Sequence, residues 1–238
     1  MNPGIILIAS FLIPGFFPLS EPEIDIELET SIQQKANILY THLSIEGLSY
    51  ETFLLAYQGY NRLLDQHSIN RDTILTIIDY SKPSDQERLF VIDTKNQKLL
   101  FRSLVAHGKG SGEALARSFS NQPASHKSSL GFFITGDSYN GKHGYSLQIE
   151  GVESGINDNA LSRAIVFHQA SYVNSDYIKK YGRLGRSFGC PALPVEYNQA
   201  IINSIKNSSC LFIYAPDEQY FRKTKLINSM LYSQTTAQ

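Results

Sequence analysis

At 238 residues, with 42% hydrophobic content, 14 Tyr and 13 Phe, the chain has room for one substantial domain with an extra piece, or for two small ones. This composition excludes disordered, collagen-like and coiled-coil classes. A formal net charge of -1 gives the whole molecule no electrostatic reason to bind nucleic acid.

Residues Pro3 to Leu19 are almost wholly apolar, but Pro14, Gly15 and Pro18 interrupt them, and the run is short for a bilayer span. Residues 1–20 read as a signal-peptide-like segment, although no Lys or Arg precedes the apolar run and no Ala-x-Ala site follows it. That reading implies export to the periplasm or cell wall, with no stable membrane span after processing. The competing reading is a buried N-terminal segment. Glu21 to Glu29 holds five carboxylates among nine residues and reads as an exposed linker. Ser31-Ile32-Gln33-Gln34 has capping-box spacing and predicts a helix start there. Tyr50, Phe53, Leu54, Tyr57, Tyr60, Leu63 and Leu64 then recur at steps of three and four, which gives one apolar helix face. Linker and helices make an N-terminal element over 21–72.

From Thr73 the pattern changes to strands. Thr73 to Tyr80 is β-branched and mostly apolar. Arg88 to Asp93 and Lys98 to Ala106 flank the polar turn Thr94-Lys95-Asn96-Gln97, as a hairpin would. Further strands are predicted at Leu130 to Thr135, Tyr145 to Glu150, Arg163 to His168 and Cys210 to Tyr214. Ala106 to Ser129, rich in Gly, Ser, Lys and Asn, is a long loop of the kind that is usually functional or mobile. Before the last strand a helix is predicted, with Pro194 at its first position, Glu196 in its first turn, and Tyr197, Ile201 and Ile205 along one side. The main domain is thus 73–216. The tail, 217–238, has room for one short helix.

The chemistry-bearing residues lie late in the chain. Cys190 directly follows Gly189, and His168 ends the apolar run Ala164-Ile165-Val166-Phe167. A thiol attacks a carbonyl as the thiolate, and a nearby imidazole can take its proton and hold the ion pair ready. Gly189 leaves space for a substrate, and the Gly189 and Cys190 amides are candidate oxyanion donors. Lys179, Lys180, Arg183 and Arg186 precede the cysteine and are expected to lower its pKa and bind substrate carboxylates. The duller reading is a structural cysteine and a histidine at a strand edge. Cys210, the only other cysteine, opens an apolar strand and reads as a buried free thiol, so no disulfide is expected.

From Thr76 to Pro216 the sequence resembles the murein L,D-transpeptidase catalytic domain, a YkuD-like family. The matching segments include Ile77-Ile78-Asp79-Tyr80, Val105-Ala106-His107-Gly108-Lys109, Ser129-Leu130-Gly131-Phe132-Phe133, Gly141-Lys142-His143-Gly144, Gly155-Ile156-Asn157-Asp158-Asn159-Ala160 and Gly182 to Ala192. The resemblance implies an α+β, mainly-β fold of mixed β-sandwich type with a small N-terminal helical element. It also implies peptidoglycan stem peptides as donor and acceptor, a Cys190 thioester, and a 3→3 cross-link. His168 is then the base, and the carbonyl of Gln169 orients its ring. His107, Lys109, His143, Arg183, Arg186 and Ser187 are expected to bind substrate around the groove.

The chain departs from the wider family in three places. Phe188 stands where a second His is usual, Gln169 where the base is usually followed by Gly, and Pro191-Ala192 where an Arg or Asn is usual. Two alternatives stay open: an L,D-carboxypeptidase that trims stem tetrapeptides, and a non-catalytic wall-binding module. No cofactor is expected. His107, His126 and His143 show no metal-ligand spacing, so no metal is expected either. Gly108-Lys109-Gly110-Ser111-Gly112 lacks phosphate-loop spacing.

Overall fold

The computed structural model describes residues 26–228, so the apolar segment 1–20, the start of the acidic stretch and the last residues of the tail lie outside the described residues. Two helices come first, α1 (Ile26–Leu43) and α2 (Tyr50–Asp65). Three strands follow, β1 (Ile74–Asp79), β2 (Leu89–Asp93) and β3 (Lys98–Ser103). After a long loop come β4 (Gly131–Gly141), β5 (Gly144–Gly151), β6 (Val166–Gln169), α3 (Ser175–Tyr181), β7 (Ala192–Leu193), α4 (Val195–Ile205), β8 (Cys210–Tyr214) and α5 (Glu218–Lys223).

The strands form one hydrogen-bonded series of eight, ordered β3-β2-β1-β8-β4-β5-β6-β7. Pairing is parallel for β1 with β8 and for β6 with β7, and antiparallel elsewhere. This is the mainly-β arrangement with a small helical element that the sequence implies. Strands β1 and β8 sit mid-sheet and are buried at every residue, which explains their nearly continuous apolar runs. Phe132 and Phe212 stack at 4.4 Å across β4 and β8.

Helix α2 is capped by Ser49, whose hydroxyl accepts from the Thr52 amide, and it buries Phe53, Leu54, Tyr60 and Leu63 as its periodicity predicts. Gly59 sets its distance from the sheet, because a methyl there would collide with the Phe132 ring.

Three local expectations are corrected. Helix α1 starts at Ile26, so Ser31 is interior rather than a cap. Glu29 belongs to that helix and not to an exposed linker: its carboxylate pairs with Arg62 at 2.5 Å and accepts from Gln58 on α2. This tertiary anchor outweighs the local capping signal. Pro194 is the residue just before α4 rather than within it, and Tyr197 faces outward (50% exposed) while Ile201, Ile202 and Ile205 are buried.

Candidate active site

Strand β6 and the loop before β7 create the site. Their parallel register sets His168 opposite Ala192, two residues after Cys190. A chain running parallel to β6 therefore carries Cys190 toward the start of that strand, where Sγ lies 3.7 Å from the Ala164 carbonyl. The turn carrying the cysteine is braced from within. Ser187 Oγ accepts from the Gly189 amide at 3.0 Å and donates to the Cys190 carbonyl at 2.6 Å. Ser128 Oγ donates to the Gly189 carbonyl at 3.1 Å and accepts from the Gly108 amide at 3.0 Å. Gly189 has φ +128°, and a Cβ there would stand 2.9 Å from the Lys127 carbonyl oxygen, so the turn needs glycine.

His168 and Cys190 line the same groove, of about 820 Å3. The imidazole Nδ1 lies 2.8 Å from the Gln169 carbonyl, an acceptor only. Nδ1 must therefore carry the proton, leaving Nε2 bare as a base. His143 stacks on His168 with centroids 4.7 Å apart. Burial first, then the His143 and Lys142 charges, hold His168 below its ordinary 6.5, against the Gln169 hydrogen bond. Burial pushes the Cys190 thiol above its ordinary 9.0, opposed by the Val166 hydrogen bond and the charges of Arg163 and Lys142. Both shifts favour the neutral thiol and the neutral imidazole over the ion pair expected from the sequence. The Sγ proton points to the Ala164 carbonyl at 3.7 Å and must turn away before His168 can accept it.

Several expected substrate-binding residues are engaged elsewhere. His107 is fully buried, with Nδ1 accepting from Arg88 at 2.8 Å. Burial and the Arg88 charge bring its pKa down to about 3, so it is a neutral core residue and not a groove residue. Arg183 and Arg186 both pair with Glu113, at 3.0 and 2.6 Å. Arg186 still lines the groove, while Arg183 does not. Lys179 pairs with Asp176, and the Lys180 ammonium stands over the Tyr181 ring. None of these four lowers the Cys190 pKa; the cations that do are Arg163 and Lys142. Lys109 is exposed, its ammonium 4.3 Å from the Phe188 ring centroid. Phe188 is 66% exposed at the groove and also meets His126 edge-on. Ser187 lines the groove, yet its hydroxyl is used by the cysteine turn. The Gly189 amide is likewise committed to Ser187, while the Cys190 amide makes no hydrogen bond among the described residues and is the candidate oxyanion donor of the pair.

Sequence reasoning did not single out Arg163, Lys142, Tyr139 or Tyr172, which also line the groove. Arg163 had a signal: a lone cation directly before the apolar run that ends in His168. Lys142 had its neighbour, His143. Cys210 is free and buried, and burial pushes its thiol far up, so it offers no competing nucleophile. The long loop is pinned rather than loose. Its Gly108 pairs with Ser187, and Arg163 donates to the Ser120 and Lys127 carbonyls.

A family model described as the L,D-transpeptidase catalytic domain matches residues 44–214. Solved structures similar in part include an L,D-transpeptidase from Mycobacterium smegmatis, at 12% identity and TM-score 0.38, covering 60% of this chain and 59% of that one. Another is a fused Zn-dependent amidase/peptidase/peptidoglycan-binding domain-containing protein from Clostridium acetobutylicum, at 14% identity, TM-score 0.37, and coverage of 82% and 65%. A third is an L,D-transpeptidase from Stackebrandtia nassauensis, at 13% identity, TM-score 0.35, and coverage of 78% and 76%. The chain thus spans under two thirds of the length of the first two. A comparison with curated proteins finds no match.

Proposed function

This chain belongs to the L,D-transpeptidase catalytic domain family, and from that premise we propose that it is a cysteine-dependent acyltransferase joining peptidoglycan stem peptides by 3→3 cross-links. The observation that carries the reading is the shared groove. Cys190 and His168 both line it, with Nδ1 of the histidine tied to the Gln169 carbonyl and Nε2 bare. The catalytic unit is residues 73–216, with α2 packed on β1 and β8 of its sheet and α1 packed on α2.

In this mechanism Nε2 of His168 takes the Cys190 proton as the sulfur attacks the carbonyl of the third stem residue. The oxyanion that forms is met by the Cys190 amide. Collapse breaks the bond to the terminal D-Ala, whose nitrogen takes the proton from the imidazolium, and a thioester remains. A side-chain amine of a second stem then attacks the thioester and gives its proton to His168. The thiolate leaves and is reprotonated, and the new amide is the cross-link. Protein, thiol and base are restored with no external reductant or oxidant. A substrate outside the cytoplasmic membrane requires an exported enzyme, which agrees with the apolar segment at residues 1–20. No helix among the described residues is long and apolar enough to cross a membrane.

The test is incubation of purified protein with isolated tetrapeptide muropeptides, followed by product masses. A cross-linked dimer that disappears in both Cys190→Ala and His168→Ala is the expected result. A tripeptide alone makes water the acceptor and the protein a carboxypeptidase. Undiminished dimer formation by Cys190→Ala overturns the assignment.

A further inference from the structure

We propose that Arg163 is a positioning residue for the nucleophile, a fixed positive charge behind the cysteine turn that stabilises the Cys190 thiolate. This rests on the acyl-transfer reading of the same groove. Arg163 closes the turn that leads into β6, with its amide donating to the Asn159 carbonyl at 2.9 Å. The next residue, Ala164, has φ +54° and presents the carbonyl that faces Sγ. The guanidinium lines the groove together with Cys190, and Nη2 lies 3.5 Å from where a Cβ on Gly189 would stand.

Its partners are the telling feature. Nη1 donates to the Ser120 carbonyl at 2.7 Å and to Ser129 Oγ at 2.6 Å. Nη2 donates to the Lys127 carbonyl at 2.7 Å and to Ser125 Oγ at 3.3 Å. All four acceptors are neutral, and no carboxylate pairs with Arg163 among the described residues. Holding a half-buried cation without a counter-charge is unfavourable, and burial draws its own pKa down. A loop tie alone needs only neutral donors. A thiolate supplies the missing negative charge during the reaction, and the charge then gains what it lacks at rest.

The other groups around Cys190 do not substitute for it. Arg186 shares the Glu113 carboxylate with Arg183, so its charge is partly offset there, and the charges that act on the Cys190 thiol are those of Arg163 and Lys142. Lys109 is exposed over Phe188, outside the groove lining. His143 and His168 stack on one another, with His168 held below its ordinary value. The Tyr80 and Tyr172 phenols are pushed up to about 12 by burial and stay neutral. Lys142 is the second cation, on the exposed β4–β5 turn, where solvent weakens its field. No carboxylate lines the groove among the described residues.

The test measures alkylation of the full chain by iodoacetamide against pH, with Cys190→Ala as the blank. In Arg163→Gln the midpoint is expected to rise by about one unit, so that the rate at pH 7 falls about tenfold while the limiting rate at high pH is kept. Arg163→Lys keeps the charge and loses the fork, so it should restore most of the neutral-pH rate. The pair Ser125→Ala and Ser129→Ala keeps the charge and removes neutral partners, so the midpoint should stay in place. A Gln variant with the parental midpoint overturns the proposal, and so does a Lys variant that behaves like Gln. If circular dichroism shows that the Gln variant does not fold, Arg163→Lys decides: a parental midpoint upholds the role, and one raised by a unit refutes it. The readout needs no muropeptide, so an Arg163-dependent midpoint in a protein that forms no dimer would sink the transpeptidase reading and leave this one standing.

Discussion

Replacing Ser187 with Ala separates two roles for a residue that the sequence assigns to substrate and the structure places within the Cys190 turn. The hydroxyl is buried (residue 5% exposed), and it bridges the Gly189 amide to the Cys190 carbonyl at 3.0 and 2.6 Å. Its removal leaves a buried amide and a part-buried carbonyl without that partner. Each such orphan costs about 1–3 kcal/mol, and a carbonyl that keeps water access sits at the low end. The expected loss is therefore about 2–4 kcal/mol, a lowering of the urea midpoint by about 1 M or more. The turn that aims Sγ relaxes at the same time, so kcat should fall while KM for the donor peptide changes little. Urea titration followed by far-UV circular dichroism gives the first quantity, and dimer formation at varied donor concentration gives the second. Stability within about 0.5 kcal/mol of the parent, with an effect confined to KM, would refute the reasoning and return Ser187 to the substrate.

Three further outcomes follow from the site and its support. Because burial raises the Cys190 thiol above 9.0, its alkylation rate should still be climbing beyond pH 8; a plateau reached by pH 6 would mean a preformed ion pair. His107 has a folded pKa of about 3 against an ordinary 6.5, so the unfolded chain binds the extra proton between those values, and the stability this residue supports is intact above pH 6.5 and is lost as pH falls toward 3. His107→Gln, whose carbonyl can still accept from Arg88, should flatten that slope by up to about 1.4 kcal/mol per pH unit, read as the difference between parent and variant denaturation curves. Gly189→Ala meets both the positive φ and the Lys127 carbonyl, so a loss of about 2–5 kcal/mol and of acyl transfer is expected, whereas a parental melting curve would mean that the turn tolerates a side chain.

The legible parts of the fold are those whose burial is one-sided or complete. Strands β1 and β8 announced themselves as apolar runs because a parallel pair in mid-sheet buries both faces. Helix α2 did so because a single stripe faces the core. Strand β7 gave no pattern, since two residues cannot show a period, yet its register with β6 sets the chain after Cys190 beside His168, and both residues line one groove. Helix α3 buries none of its residues, so it has no stripe to detect; its Asn174 cap was the local signal available. The start of α1 was misplaced because its position depends on Glu29 meeting Arg62, a contact across two helices.

At the site, residue types were legible and charges were not. The order of His168 and Cys190 in the chain pointed to a thiol and its base, but proximity in sequence misassigned the cations. Arg183 and Arg186 lie close to the cysteine along the chain, but both side chains are held by the one Glu113 carboxylate. Arg163 is distant in sequence, and its charge is left over. The same geometry decides how the nucleophile is made ready. Burial moves the thiol up and the imidazole down, so both shifts work against separating charge at rest. An uncompensated guanidinium offsets part of that cost without titrating in the working range. A resting thiol is also a poorer target for oxidants and stray electrophiles than a thiolate. The proton should then leave sulfur only as a carbonyl arrives to share the negative charge, which ties formation of the nucleophile to occupancy of the groove.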